Sequence, residues 1–344
     1  MKRAISRPMR IHPPRPAKIR RFHTPGIRLF SMWHPKLRRP WPIASSKICH
    51  IFPVLLALCL STFLAGCALW PLTSTPPAAT PSPIATPSTA AHPAPLAVHF
   101  LDVGQGDSIF IELPDGQTLL IDAGERGCAE GIIAYIKARG HTALDHVIAT
   151  HPHADHIGGM AKVVDAFEVK NFYMPKVLHT TATFENLLDA VARQGLSIQT
   201  ARAGKLLLEA NGLRAAFLAP TGDTYKNLNN YSAVLLLTYG EKRFLFMGDA
   251  EAVSEAEMLA GGAALEADVL KVGHHGSQTS SSEAFLAAVR PDIAVICVGR
   301  DNTYGHPTPN VLARLNSVGA DVRRTDAGTV TITCDGQTLW VRQE

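Results

Sequence analysis

Between an apolar run and a pair of glycines, residues 150–159 read THPHADHIGG, which puts His151, His153, Asp155 and His156 inside six positions. In extended backbone, side chains two apart share a side, so His151 and His153 at the end of a buried strand can converge on one metal ion. Asp155 and His156 fall past that strand, at the entry to a helix, where they can face a second ion nearby. Imidazole combined with carboxylate suits Zn²⁺, Mn²⁺ or Fe²⁺, and a two-metal centre needs ligands gathered in this way. A solvated histidine-rich loop would account for neither the apolar strand before the cluster nor the Gly158-Gly159 after it.

Elements able to position these residues are readable on both sides. Strands are expected at 98–103, 108–113 and 117–122, with Pro114-Asp115-Gly116 as the turn of a hairpin. A helix at 132–138 ends near Gly140; a short buried strand covers 147–150 and a helix 157–167. Strands at 172–174, 196–199 and 213–218 follow, with a helix at 184–192 between the first two. The second half carries strands at 232–239, 243–247, 269–272, 293–298, 330–333 and 337–341, and helices at 252–259, 283–289 and 310–316. Hairpin-rich strand sets mixed with helices predict two sheets with helices outside, an αββα four-layer sandwich formed by residues 97–344 as one domain.

Other polar residues close apolar runs in the same manner. Asp122 ends LLID, Gly248-Asp249 follows RFLFM, and KVGHHGS (271–277) sets His274 and His275 at a strand end. With HxHxDH, these motifs resemble the metallo-β-lactamase fold. FLDVGQGDS (100–108), NNYS (229–232), KVGHHGS and NTYGHP (302–307) narrow the resemblance to the extracellular hydrolase domain of ComEC-type competence proteins, over residues 98–339. Secreted phosphorylcholine esterases share parts of the pattern.

The resemblance implies two divalent ions, Zn²⁺ or Mn²⁺, held by His151, His153, Asp155, His156, Asp249 and His275, with Asp249 bridging. Asp122 is then expected behind a ligand histidine, orienting it, with Asn230 and Ser232 supporting the ligands. His275 is favoured as ligand and His274 as the group at the substrate phosphate, and the reverse assignment stays open. Asp155, His274 and His306 are the expected catalytic residues; a merely structural loop histidine is the other reading of His306. Many enzymes of this fold use a third histidine on the first metal. Here His179 stands alone in that interval and reads as solvated, so the first site should bind more weakly, aided by water or an Asn oxygen. The implied chemistry is hydrolysis of a phosphodiester, DNA first, by a metal-activated water. A smaller phosphodiester and a non-catalytic DNA-handling module are the alternatives. An aspartate rather than a cysteine at position 249 argues against a lactamase.

Charge is segregated along the chain. Residues 1–66 hold 13 Lys or Arg and no acid, which leaves 20 basic against 29 acidic residues beyond them, so the net +4 is no sign of nucleic-acid binding. A basic stretch, an apolar run at 48–65 and the ending LAGC resemble a secretory signal with a bacterial lipobox, making Cys67 the expected lipidation site. Residues 67–96 read as a tether: 71–96 contain eight prolines and no charge, and at 3.1 Å per residue could extend roughly 80 Å. The domain is therefore expected outside the cytoplasm, lipid-anchored to the cell membrane. Cys128, Cys297 and Cys334 lack metal-type spacing; Cys297, inside an apolar run, reads as a core residue.

Overall fold

A computed structural model describes residues 94–344; the signal segment, Cys67 and the tether up to residue 93 lie outside the described residues. The first sheet begins with β1 (Leu96–Phe100), β2 (Ile109–Glu112) and β3 (Thr118–Ile121), an antiparallel meander. The turn between β2 and β3 closes as expected, with Gln117 N–H donating to Asp115 Oδ1 at 3.0 Å. There follow α1 (Ala129–Ala138), β4 (Ala143–Ile148), α2 (Ala154–Ile157), α3 (Met160–Ala166), β5 (Glu168–Met174), α4 (Ala182–Arg193) and β6 (Ile198–Thr200). The second sheet contains β7 (Leu206–Ala210), β8 (Leu213–Ala219), β9 (Val234–Tyr239), β10 (Lys242–Phe246), β11 (Val269–Lys271), β12 (Ile293–Ile296) and β13 (Asp321–Arg324). It is interleaved with α5 (Ala252–Ala260), α6 (Glu283–Val289) and α7 (Pro309–Ser317); β14 (Val330–Cys334) and β15 (Leu339–Gln343) then return to the first sheet. The strand orders are β15-β14-β1-β2-β3-β4-β5-β6 and β13-β12-β11-β10-β9-β8-β7.

Three apolar layers make the four-layer sandwich. Strand alternation sends Ile109 and Ile111 between the sheets and Phe110 to the helix side. Phe100 and Phe246 meet across the inter-sheet core at 6.2 Å. The outer layers seat Ile132, Val163 and Leu187 on the first sheet, and Phe285, Leu286 and Val311 on the second. Strands covered on both faces read as unbroken apolar runs, as β12 (IAVI, all buried) does. Cys297 is buried in the inter-sheet core, and all three described cysteines are free thiols.

The structure differs from expectation in three places. Strands β7 and β13 were not anticipated, because each is an edge strand with no fully buried residue and a non-alternating sequence, LLLEA and DVRR. The helix expected at 157–167 starts at Ala154 and breaks at Gly158-Gly159. A Cβ on Gly158 would sit 2.4 Å from Ala154 O and 2.5 Å from Arg126 N, and one on Gly159 would sit 2.4 Å from Ala123 O. The two glycines let the chain pack against the loop after β3. Finally, β4 begins at Ala143 and ends at Ile148, short of the histidines.

Glu112 at the end of β2 is held by His99 at 2.9 Å and His141 at 2.8 Å. The His99 hydrogen bond, chiefly, lowers its carboxyl from 4.5 to about 2 despite partial burial. Glu112 therefore stays ionised in the fold where the unfolded chain is already protonated. Its contribution is complete above about pH 5 and is lost as pH falls toward 2. Glu112→Gln should lower the melting temperature at pH 7 and narrow the gap to wild type as pH falls from 5 to 3, as thermal denaturation across that range would register.

Candidate metal centre

The centre forms where β4, β10 and β11 end on one rim of the two sheets. After β4, Ala149 N–H still donates to Tyr173 O at 2.9 Å, then the chain bends at His151-Pro152, and His153 precedes α2 in extended backbone. His151 and His153 converge through this bend rather than through strand alternation, with Nε2 of His151 2.9 Å from Nδ1 of His153. Beyond β10, Gly248 turns the chain and Asp249 points inward. Its Oδ2 lies 3.7 Å from His151 Nε2; its Oδ1 lies 3.2 Å from His156 Nε2 and 3.5 Å from His275 Nε2. Asp155 Oδ2 completes the second group, 3.2 Å from His275 Nε2. In each of two sets, His151–His153–Asp249 and Asp155–His156–Asp249–His275, potential ligand atoms lie within 4.8 Å of one another. The shared member is Asp249.

Hydrogen bonds on the far ring nitrogens aim the imidazoles. His156 Nδ1 lies 2.7 Å from Asp122 Oδ2, and Asp122 also accepts from Thr150 N–H at 2.8 Å and Thr150 Oγ1 at 2.6 Å. His275 Nδ1 donates to Cys297 O at 2.9 Å. Each arrangement leaves Nε2 free to bind a cation. Asp249 N–H donates to Ser232 Oγ at 3.0 Å. Asn230 Oδ1 accepts from Glu251 N–H and Ser254 N–H, both at 3.3 Å, which fixes the start of α5 directly after Asp249.

Concentrated charge gives the pocket its electrostatics. Burial would depress the His156 imidazole, but Asp249, Asp155 and Asp122 push it well above its ordinary value. His275, equally buried, is raised to about 10, by Asp249 first among its carboxylate neighbours. Asp249 is held well below the carboxylate range because His156 and His275 outweigh its burial. His151, with burial dominant, is driven down. Nε2 of His156 and Oδ1 of Asp249 are buried without a hydrogen-bond partner although they face each other. A cavity lined by N and O donors, with orphaned atoms pointing to one place, fits divalent cations.

His274 and His275 sit in a tight turn past β11 with φ of 46° and 51°, the left-handed region that non-glycine residues rarely occupy. The turn, not strand alternation, makes them diverge. His275 is buried in the second group. His274 is partly exposed, its Nε2 3.8 Å from Asp249 Oδ2 and its Nδ1 3.2 Å from Glu251 Oε1. Over the groups opens a cavity of about 310 Å³ whose walls include Gln105, Asn229, His274, Tyr304 and His306. His306 is part-buried with its ring 5.5 Å from that of His274. His179 bonds Thr181 Oγ1 at 2.9 Å and belongs to neither group of potential ligands.

Two residues that sequence reasoning left unassigned lie beneath the site. Lys271 Nζ is 2.6 Å from Asp107 Oδ2, and both side chains are fully buried. The lysine also donates to Val272 O at 2.8 Å and Gly248 O at 3.2 Å, and Asp107 Oδ1 lies 3.4 Å from His275 Nδ1. A lysine inside an apolar strand was the available signal. The adjoining Gly106 has φ 132°, and a Cβ there would come within 2.2 Å of Asp155 O. Only glycine lets this loop close onto α2.

Asp122→Asn should lower zinc affinity by about 10–100-fold, the usual cost of losing the carboxylate behind a ligating histidine. Competition against a chromogenic chelator measures it; unchanged affinity would detach Asp122 from metal binding.

Residues 101–300 match the family model described as the metallo-beta-lactamase superfamily, and the chain belongs to that superfamily. Its class is therefore that of the metallo-hydrolases. More narrowly, it is similar to ComE operon protein 3 of Bacillus subtilis, 33% identical over 251 residues that make up 68% of this chain and 32% of that protein. Competence protein ComA of Neisseria gonorrhoeae is also 33% identical, over 67% of this chain and 31% of its own length. The chain thus spans about a third of these relatives. Among solved structures, YhfI of Bacillus subtilis aligns with a TM-score of 0.46 at 13% identity, covering 72% of this chain and 100% of that one. Among the described residues no helix is long and apolar enough to cross a membrane.

Proposed function

We propose that the chain is a metal-dependent phosphodiesterase that hydrolyses DNA outside the cytoplasm, anchored through a lipid on Cys67. The observation that carries the reading is Asp249, whose two oxygens face two separate groups of imidazoles beneath an open cavity. Two divalent ions held by His151, His153, Asp155, His156, Asp249 and His275 would supply Lewis acidity, acidifying a water and polarising a phosphoryl oxygen. Asp155, whose side chain reaches the cavity, would help hold and orient that water. His274 and His306 also line the cavity and meet the negative charge that grows on the phosphoryl oxygens. The ring of His306 lies 5.5 Å from that of His274, while its Nδ1 is buried without a hydrogen-bond partner.

Similarity to a competence protein supports DNA as the diester. No Lys or Arg lines the cavity, so phosphate recognition falls to the ions and the imidazoles, and affinity for long duplexes should be modest. That same absence favours a second reading, a compact phosphodiester as substrate. The test is incubation of the purified full chain, loaded with Mn²⁺ or Zn²⁺, with single-stranded DNA, duplex DNA and bis-p-nitrophenyl phosphate, beside an Asp155→Ala/Asp249→Ala double variant. DNA cleavage lost in the variant supports the nuclease. Turnover of the small ester alone moves the assignment to the second reading. Metal-dependent DNA binding without turnover of any substrate would make the chain a binding module.

A further inference from the structure

Tyr304 lines the cavity and takes no part in the hydrolytic chemistry. Tyr304 is 67% exposed, and the other exposed large aromatic among the described residues, Trp340, lies on β15 in the other sheet. Its ring leans on His306 at 5.9 Å with an interplanar angle of 23°, and His306 in turn meets His274 at 5.5 Å. The three rings form a run leading outward from Asp249.

The loop that presents Tyr304 is tied down. Asn302 Nδ2 donates to Gly299 O at 2.9 Å and to His306 O at 2.7 Å, and His306 N–H donates to Asn302 Oδ1 at 3.0 Å. Gly299 N–H donates to Gln105 Oε1 at 3.2 Å, which joins this loop to the one between β1 and β2. A fixed backbone holding an apolar ring in water, beside a phosphate-binding cavity without Lys or Arg, suits a flat partner attached to the phosphate.

We infer that Tyr304 forms a nucleobase subsite, stacking the base that adjoins the diester over the centre. The inference rests on the phosphodiesterase reading and extends it. Aromatic stacking is tolerant of sequence because every base presents a π-face, and it supplies binding that the acidic domain does not gain from charge. A base already stacked inside a duplex cannot use the ring, so the subsite selects single strands.

The test compares wild type, Tyr304→Ala and Tyr304→Phe in the full chain. End-labelled hexathymidylate and an abasic oligomer of equal length and label are titrated by fluorescence polarisation. In parallel, kcat/KM is measured for thymidine 5′-p-nitrophenyl phosphate and methyl p-nitrophenyl phosphate. Wild type should prefer hexathymidylate over the abasic oligomer by about 5- to 100-fold. Tyr304→Ala should abolish that preference and reduce the ratio of kcat/KM between the two esters by a similar factor, whereas Tyr304→Phe keeps both. Equal loss on base-containing and base-free ligands, or no loss, overturns the subsite. If wild type hydrolyses neither ester, the phosphodiesterase reading falls. The binding arm then still decides: a Tyr304-dependent preference for thymidylate upholds the subsite and its absence overturns it.

Discussion

Lys271→Met should destabilise the domain by about 3–5 kcal/mol, the cost of leaving a buried charge without its partner. Lys271 and Asp107 are both fully buried, 2.6 Å apart, with the ammonium also bonded to two carbonyls. Burial alone would lower the lysine, and Asp107 holds it charged instead. Methionine preserves the length of the side chain, so the expected loss comes from Asp107, which would stay ionised or take a proton at a cost. Asp107→Asn/Lys271→Met should therefore be more stable than Lys271→Met alone, because the orphaned charge is gone. Urea denaturation of the three proteins decides between outcomes. A Lys271→Met midpoint equal to wild type would mean that the pair contributes nothing; a double variant no better than the single one would mean that packing, not charge, is at stake.

Asp249→Ala should lower phosphodiester hydrolysis by about a thousand-fold, since metal-held Lewis acidity is worth several kcal/mol of transition-state stabilisation. The aspartate is the one residue common to both groups of potential ligands, so its loss opens both together. It is also the anion that most strongly holds up His275 and, with Asp155 and Asp122, His156. Ser232→Ala, which removes the acceptor for Asp249 N–H and a 3.5 Å contact with His151 Nδ1 but no potential ligand, should have a far smaller effect. Initial rates with bis-p-nitrophenyl phosphate compare them. Asp249→Ala within tenfold of wild type would contradict a shared carboxylate.

How much of this was legible beforehand depends on how local each signal is. His151, His153, Asp155 and His156 are adjacent in sequence, and their convergence needs one bend, so residue types and spacing sufficed. Asp122, Asp249 and the His274-His275 pair end apolar strands, and both sheets present those ends on one rim. The inter-sheet alternation of Ile109 and Ile111 against Phe110 was readable for the same reason. The pairing of Asp107 with Lys271 was not, because it joins a loop to a strand 164 positions away and neither residue has a periodic or motif-level sign of its partner. Strands β7 and β13 were hidden because edge strands tolerate sequences without apolar–polar alternation. The left-handed turn at His274 and His275 also escaped, since no local propensity favours it and only the surrounding structure holds it.

The central claim is that these histidines and aspartates make a two-metal centre around Asp249. Equilibrium dialysis of the full chain against Zn²⁺ and Mn²⁺, followed by elemental analysis, tests it most directly. Two equivalents are expected for wild type, the second to fill being the weaker His151–His153 site, and at most one for Asp249→Ala. Wild-type protein that retains no metal, or an Asp249→Ala protein that still retains two equivalents, would contradict it.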